Sequence, residues 1–184
     1  MKPLQKKYWR HVAVLVACIY LSLPIARPLS EFLRKHIPFR LTIDLIAIVL
    51  VVSCIYVFYK KVALRKPSTY FFIMVLISVY TYFWAMMKIP EERIHLIEYS
   101  FLAYLIFRAF RLDLAERPCY FSTLFLTSLF GWLDEGIQYL LPGRFYDLRD
   151  VGFNILGGLL GVLITLIVRR ELSWKKGEKK TTHL

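Results

Sequence analysis

The sequence predicts an all-α fold: a polytopic integral membrane protein, a bundle of about six transmembrane helices with both termini in the cytoplasm. Three observations support this prediction, namely a strongly apolar composition, six long apolar runs, and basic residues that collect on alternate connections. Of the 184 residues, 58% are hydrophobic, and the mean hydropathy is +0.51. Soluble domains have about 45–50% apolar residues, so the composition argues against a soluble fold.

Six apolar runs are the predicted membrane spans, at residues 12–26, 41–59, 70–87, 94–110, 120–141 and 151–168. Crossing the hydrocarbon core takes about 20 residues, so the shorter runs extend into their flanking residues. None alternates as a barrel strand does, and a backbone in lipid must satisfy its own hydrogen bonds, which favours helices. Between the first two runs, apolar residues at helical spacing predict a short helix in the membrane interface over residues 28–37.

The distribution of Lys and Arg predicts the orientation, because cytoplasmic connections are enriched in both. With the N-terminus inside, nine of the 13 acids lie on or near the outer side, and 17 of the 25 Lys and Arg lie inside. The inner ones are Lys2, Lys6, Lys7, Arg10, Lys60, Lys61, Arg65, Lys66, Arg108, Arg111, Arg117, Arg169, Arg170, Lys175, Lys176, Lys179 and Lys180.

The length accommodates one transmembrane domain over residues 1–184, ending in a basic cytoplasmic tail at residues 169–184. The first run has the basic start of a signal peptide, but the residues before Arg27 make a poor cleavage site, so an uncleaved span is expected. The net charge of +12 is confined to short clusters between apolar runs. That pattern excludes a nucleic-acid-binding protein.

Polar residues in or beside predicted spans are candidate functional residues, because placing them in lipid is costly. The first group lies at the outer end of the fourth run, in the segment Pro90-Glu91-Glu92-Arg93-Ile94-His95-Leu96-Ile97-Glu98-Tyr99. Proline suits a helix start, and Glu91, His95 and Glu98 then fall within an arc of about 60°. One helix face therefore carries an acid, an imidazole and a second acid.

The second group lies late in the fifth run, where Asp134, Glu135 and Gln138 occupy an arc of about 100°. The third begins at the turn of residues 142–144 and continues into the sixth run. A helix starting near Asp147 places one stripe about 100° wide at Asp147, Asp150, Asn154, Gly157, Gly158 and Gly161.

Gly157 and Gly161 form a GxxxG motif, which lets another helix approach closely. We expect that neighbour to be the fifth helix, across its short connection. All three polar groups lie toward the outside at one membrane depth. They therefore predict a polar pocket that opens to the extracytoplasmic face or to the outer leaflet.

The three groups together resemble the VanZ-like family of bacterial membrane proteins. The resemblance covers about residues 88–168, a VanZ-like core, and rests on Glu91-x-x-x-His95-x-x-Glu98-Tyr99, Asp134-Glu135-x-x-Gln138 and Pro142-Gly143-Arg144-x-x-Asp147-x-x-Asp150-x-x-x-Asn154-x-x-Gly157. It implies a bacterial cytoplasmic (inner) membrane location, a core of several helices, and a link to the cell envelope and to resistance against glycopeptide antibiotics such as teicoplanin. It does not supply a biochemical activity.

The leading hypothesis is an enzyme that modifies a lipid-linked or anionic component of the cell envelope at the extracytoplasmic face. His95 and Glu98 would move a proton, while Asp134 and Glu135 would serve as acid and base. Arg144 would hold an anionic group in a bidentate grip. The expected substrate-binding residues are Glu91, Tyr99, Gln138, Arg144, Asp147, Asp150 and Asn154.

Structural roles are open for the same residues. His95 would then belong to a hydrogen-bond network between helices, and Asp134 and Glu135 would form salt bridges with Arg93 or Arg144. Asp147 or Asp150 would cap the sixth helix. A site for a hard divalent ion is conceivable at His95, Glu98, Asp134 and Glu135. Because this cluster has one His, charge pairing is favoured; no metal ligands are predicted, and the cofactor is left open.

Two other functions are open as well. GxSxG, P-loop and HExxH motifs are missing from the sequence, which argues against serine acyl transfer and ATP-driven mechanisms. A non-enzymatic protein that binds or sequesters envelope precursors needs the same pocket, with membrane lipids or a lipid-linked precursor as partner. A small transporter ranks third, because few polar residues continue toward the inner leaflet.

Overall fold

The computed structural model describes residues 3–57, 67–87, 90–142 and 144–181, which contain six α-helices. Within these ranges, side chains are not described at residues 50, 51, 54, 55, 57, 90–92 and 172–181. The helices are α1 (Pro3–His36), α2 (Phe39–Val57), α3 (Pro67–Met86), α4 (Pro90–Phe110), α5 (Glu116–Tyr139) and α6 (Leu148–Thr181). The described ranges contain no β-strand. The predicted all-α fold is confirmed.

Among the described residues, three helices are long and apolar enough to cross a membrane, fewer than the six or so expected. They are α1, α3 and residues Leu148–Glu171 of α6. The reason is clearest in α5, which is 24 residues long but carries Asp134, Glu135 and Gln138 on its buried side. Its opposite side exposes large apolar side chains such as Phe121 and Phe125. A polar inner face lowers the average hydropathy without placing polar groups in lipid.

α1 is one continuous helix of 34 residues with two internal prolines, Pro24 and Pro28. The short interface helix predicted at residues 28–37 is therefore wrong as a separate element, because residues 28–36 continue α1. Each proline removes one backbone donor from the helix. The turn that follows is supported by Ser30 Oγ, which donates to the Arg27 carbonyl at 3.0 Å. α6 is also continuous, so the start of the predicted tail extends this helix to Thr181.

α4 is the central helix and packs most extensively on α6, then on α1 and α5. Its buried apolar side chains include Leu96, Leu102, Ile106 and Phe107, all no more than 1% exposed. α2 and α3 contact the bundle less and lie at its periphery. The polar segment at the start of α4 is therefore placed among α1, α5 and α6.

Close contact between α4 and α6 depends on two glycines. A Cβ atom at Gly157 would lie 2.9 Å from the Leu96 carbonyl oxygen, and one at Gly161 would lie 2.8 Å from the Ser100 Cα. Ser100 Oγ donates to the Gly157 carbonyl at 2.9 Å. The GxxxG neighbour is thus α4, so the expectation that Gly157 and Gly161 pack on α5 is wrong. Asn154 on the same stripe does lie against α5, as expected, because its amide contacts Gly131.

Polar contacts show which helix ends lie together. Gln5 near the start of α1 donates to Asp113 in the α4–α5 connection. Arg169 Nε in α6 lies 3.7 Å from Glu116 Oε1 at the start of α5. The start of α1 and the last turns of α6 therefore lie at one end of the bundle, as the predicted orientation requires, and the polar segments of α4 and α5 lie at the other end.

Candidate functional site

His95 lies in the second turn of α4 between two carboxylates. Its Nδ1 atom is 3.2 Å from Glu98 Oε2 and 3.7 Å from Asp134 Oδ2. The three side chains differ in exposure: His95 is 19% exposed, Glu98 29%, and Asp134 is fully buried. The imidazole therefore lies within ion-pair distance of a partly open carboxylate on its own helix and of a closed one on α5.

Asn154 of α6 contacts the same carboxylate oxygen of Asp134 as His95 does. Its amide nitrogen donates to Asp134 Oδ2 at 3.4 Å and to the Gly131 carbonyl at 3.2 Å. A Cβ atom at Gly131 would lie 2.7 Å from the Asn154 Cβ, so glycine is needed for α5 and α6 to approach this closely. His95, Asp134 and Asn154 thus form one chain of polar contacts through α4, α5 and α6.

Glu135 has different partners from Asp134, although the two are adjacent. Its Oε1 accepts the backbone N–H of Asp147 at 2.9 Å. Asp147 in turn caps α6, since its Oδ1 accepts the backbone N–H of Arg149 at 2.8 Å. The capping prediction is confirmed, and Glu135 fixes the α5–α6 connection.

The two candidate arginines bond to groups other than Asp134 and Glu135. Arg93 pairs with Asp44 of α2 and donates to the Met87 carbonyl through Nε and Nη2, at 3.2 and 2.9 Å. Arg144 donates to Gln138 Oε1. Within the described residues neither arginine forms an ion pair with Asp134 or Glu135, so that alternative is wrong.

Tyr99 and Asp150 complete the predicted set that the structure describes. Tyr99 is fully buried; its hydroxyl donates to the Phe130 carbonyl at 3.2 Å and lies beside the Asp134 carboxylate. Asp150 lies half-buried in the first turn of α6. The side chain of Glu91 and the whole of Gly143 lie outside the described residues.

Three buried carboxylate oxygens have no hydrogen-bond partner among the described residues: Asp134 Oδ1, Glu135 Oε2 and Asp150 Oδ1. A buried polar atom without a partner is costly, so protons, water or the donors of a ligand would stabilise it. In the same part of the chain, no group of three or more His, Cys, Asp or Glu is placed to hold a metal ion. The arrangement suits proton transfer and hydrogen bonding.

Comparison with known families gives a match that covers most of the chain. The model of the family described as VanZ/LLP1 matches residues 8–169. The chain belongs to the VanZ/LLP1 family. The match begins well before residues 88–168, where the resemblance is carried by motifs, and so includes α1, whose Tyr20 reaches the site.

One protein similar to this chain is an uncharacterized protein, C11E3.10, of Schizosaccharomyces pombe. The two are 29% identical over 117 residues, which cover 61% of this chain and 71% of the relative. No solved structure matches this chain. These comparisons therefore establish the family of the chain and do not supply an activity.

Two features of this VanZ/LLP1 protein were missed at the sequence level. Tyr20 of α1 donates to the Phe130 carbonyl at 2.8 Å, beside Tyr99; no local spacing links residues so far apart. Thr123 and Thr127 continue the buried face of α5 away from Asp134, and their four-residue spacing was the available signal. Thr127 Oγ1 donates to the Thr123 carbonyl at 2.8 Å, so that hydroxyl serves the helix and gives transport little support.

Proposed function

We propose that this protein is a membrane enzyme that modifies a lipid-linked or anionic component of the cell envelope, using His95 for proton transfer. The observation that carries the proposal is the position of the imidazole between Glu98 and the buried Asp134, which Asn154 holds in turn. Carboxylates that fix and charge-balance a histidine are a common arrangement for a general acid or base.

The partly exposed members of the cluster are the ones proposed to meet substrate. Nδ1 of His95 faces the two carboxylates, which leaves Nε2 to exchange a proton with a bound substrate. Asp134 and Glu135 were expected to act as acid and base, but their side chains are closed off, at 0% and 1% exposed. The proposal therefore gives Asp134 the role of positioning His95, and Glu135 that of holding the α5–α6 connection.

The membrane placement is part of the proposal. All six helices cross the membrane, with the start of α1 in the cytoplasm and the His95 cluster toward the extracytoplasmic face. The excess of Lys and Arg at the α1 end supports this orientation. The lipid-facing aromatic side of α5 supports its crossing. A bacterial inner membrane is the proposed location, although similarity to this sequence extends to a yeast.

Mass spectrometry of total envelope lipids and lipid-linked precursors tests the activity. Cells lacking the protein are compared with cells that express the wild type, His95→Ala or Asp134→Asn at verified equal levels. We expect a species that changes with the wild type, and a turnover reduced by about 10²–10⁴-fold in His95→Ala, the usual contribution of general acid–base catalysis. Asp134→Asn keeps the shape but weakens the hold on the imidazole, so it is also expected to lose turnover.

His36→Ala is the matched control for this experiment. His36 is exposed near the end of α1, and its Nδ1 contacts the Phe32 carbonyl of the same helix at 2.8 Å. Its variant should behave as the wild type. Lipids that do not change when the wild type is expressed would contradict the enzyme. So would equal lipid changes in cells that express His95→Ala, Asp134→Asn and His36→Ala.

Burial supports a second candidate function, a non-enzymatic protein that binds or sequesters an envelope precursor. Asp134, Glu135, Gln138 and Asn154 are all at most 3% exposed, as expected for a polar network that holds a binding surface in shape. In this case Asp134→Asn keeps most of any protection against a glycopeptide antibiotic, and the lipid composition stays unchanged. Susceptibility testing of the same strains separates the two functions.

A further inference from the structure

A cavity of about 330 Å³ lies between the second half of α1 and the connection from α5 to α6. Its charged lining consists of Arg27 and Glu31 from α1 and Arg144 from the connection. Its apolar lining includes Pro24 and Pro28. The volume lies at the small end of ligand sites, which have about 300–1,000 Å³. The cavity therefore suits a headgroup or a small ester.

The hydrogen-bonding character of this cavity is set by its arginines. Proline has no backbone N–H, so the α1 wall at Pro24 and Pro28 offers no backbone donor at these positions. Each guanidinium has five donors in a planar fork that matches the oxygens of a phosphate. Two arginines and one glutamate leave the lining with a net positive charge, which favours an anion.

The cavity is connected to the His95 cluster through Arg144. Arg144 donates to Gln138 Oε1, and Gln138 lies one helical turn from Asp134 with only 3% exposure. An anion held by Arg144 would therefore lie next to the buried polar network. Glu31 Oε1 is 3.4 Å from Arg27 Nε, so this carboxylate would compete with the anion for Arg27.

We propose that this cavity binds the phosphate group of a lipid headgroup or of a soluble phosphate ester between Arg27 and Arg144; this specifies the substrate class of the proposed function and rests on it. Arg27 is the new element, since it comes from α1, outside the motif-bearing helices. The apolar walls of the cavity would contact the carbon atoms next to the phosphate.

Binding to the purified full-length protein in detergent tests this site. The probes are dioctanoyl phosphatidic acid, dioctanoylglycerol, which lacks the phosphate, and glycerol 3-phosphate, which lacks the acyl chains. Binding of both phosphates, or of phosphatidic acid alone, supports the site and distinguishes a soluble ester from a lipid. Equal affinity for dioctanoylglycerol and phosphatidic acid would overturn it.

Charge variants then locate the site. Arg27→Gln and Arg144→Gln are each expected to raise the Kd for phosphatidic acid about tenfold or more, the effect of losing a charge-assisted hydrogen bond. Arg149→Gln is the matched control, because Arg149 lies at the same end of the bundle, is 76% exposed and pairs with Asp147. It should change Kd by less than about twofold. Equal losses in all three variants would show non-specific attraction and overturn the site.

Glu31→Gln guards against misfolding as an explanation. Removing the competing carboxylate should lower the Kd about two- to fivefold, and a tighter complex does not arise from a damaged protein. An unchanged or higher Kd for Glu31→Gln overturns the arrangement. His95→Ala should keep the wild-type Kd, because His95 is not part of the phosphate site. Phosphate binding without any lipid change would reject the enzyme and keep the site. A lipid change without phosphate binding would support the enzyme and reject the site.

Discussion

Gly161→Ala is expected to lower the free energy of unfolding by about 3 kcal/mol, the upper part of the usual range for overpacking. The added methyl group would overlap the backbone of Ser100, with the Ser100 Cα at 2.8 Å and its carbonyl oxygen closer still. Backbone atoms of a central helix cannot move aside as a flexible side chain does. SDS-titrated unfolding of the purified protein in detergent micelles measures the loss.

Gly152→Ala is the matched control on the same helix. A Cβ atom at Gly152 meets nothing within 4 Å, and alanine favours a helix over glycine by about 1 kcal/mol. The control should therefore leave stability unchanged or raise it. If the two alanine variants were equally stable, the close contact between α4 and α6 would be absent in solution.

Arg93→Met is expected to lower the free energy of unfolding by about 2 kcal/mol, the cost of leaving the Met87 carbonyl and the partly exposed Asp44 without their buried donor. The Arg93 side chain is 2% exposed and pairs with Asp44, and it also satisfies the carbonyl of Met87 at the end of α3. Its guanidinium lies 5.5 Å from the ring centre of Trp84. One side chain thus joins α2 and α3 to α4, and methionine replaces only its bulk.

Arg149→Met provides the comparison, since Arg149 is 76% exposed and its loss should cost no more than about 0.5 kcal/mol. A double-mutant cycle with Asp44→Asn isolates the ion pair. We expect a coupling energy of at least 1 kcal/mol, because contacting residues in one network are not additive. Strict additivity would mean that Arg93 stabilises the protein through other contacts.

Local patterns were sufficient to predict six main helical segments and the proximity of three polar residues of the candidate site. Pro67 and Pro90 mark helix starts, as expected of proline in a first turn. The spacing of His95 and Glu98, and the partial polarity of the fifth run, were enough to bring His95, Asp134 and Asn154 to one place. A buried polar residue in an apolar run has to face a partner, so its position in the sequence already indicates which side of the helix points inward.

Pairings between distant segments could not be obtained in this way. Asp44 and Arg93 are both at the outer side by charge sorting, yet nothing in their surroundings indicates that they pair. The partner of Gly157 and Gly161 depends on which helix lies nearest, and loop length favoured α5 although the contact is with α4. The continuity of α1 through Pro24 and Pro28 depends on contacts along its length, and local helix propensity points the other way.

The central position of α4 has a consequence for biosynthesis. α4 leaves the ribosome before α6, its main partner, has been made. Until then the face at residues 96–100 has no glycine surface to pack on, and Asp134 lacks the amide of Asn154. A chain that stops before Leu148 therefore keeps His95 beside Asp134 but lacks the Asn154 amide and the glycines on which α4 packs, so its bundle is destabilised. Late nonsense mutations should thus act as complete losses of the protein.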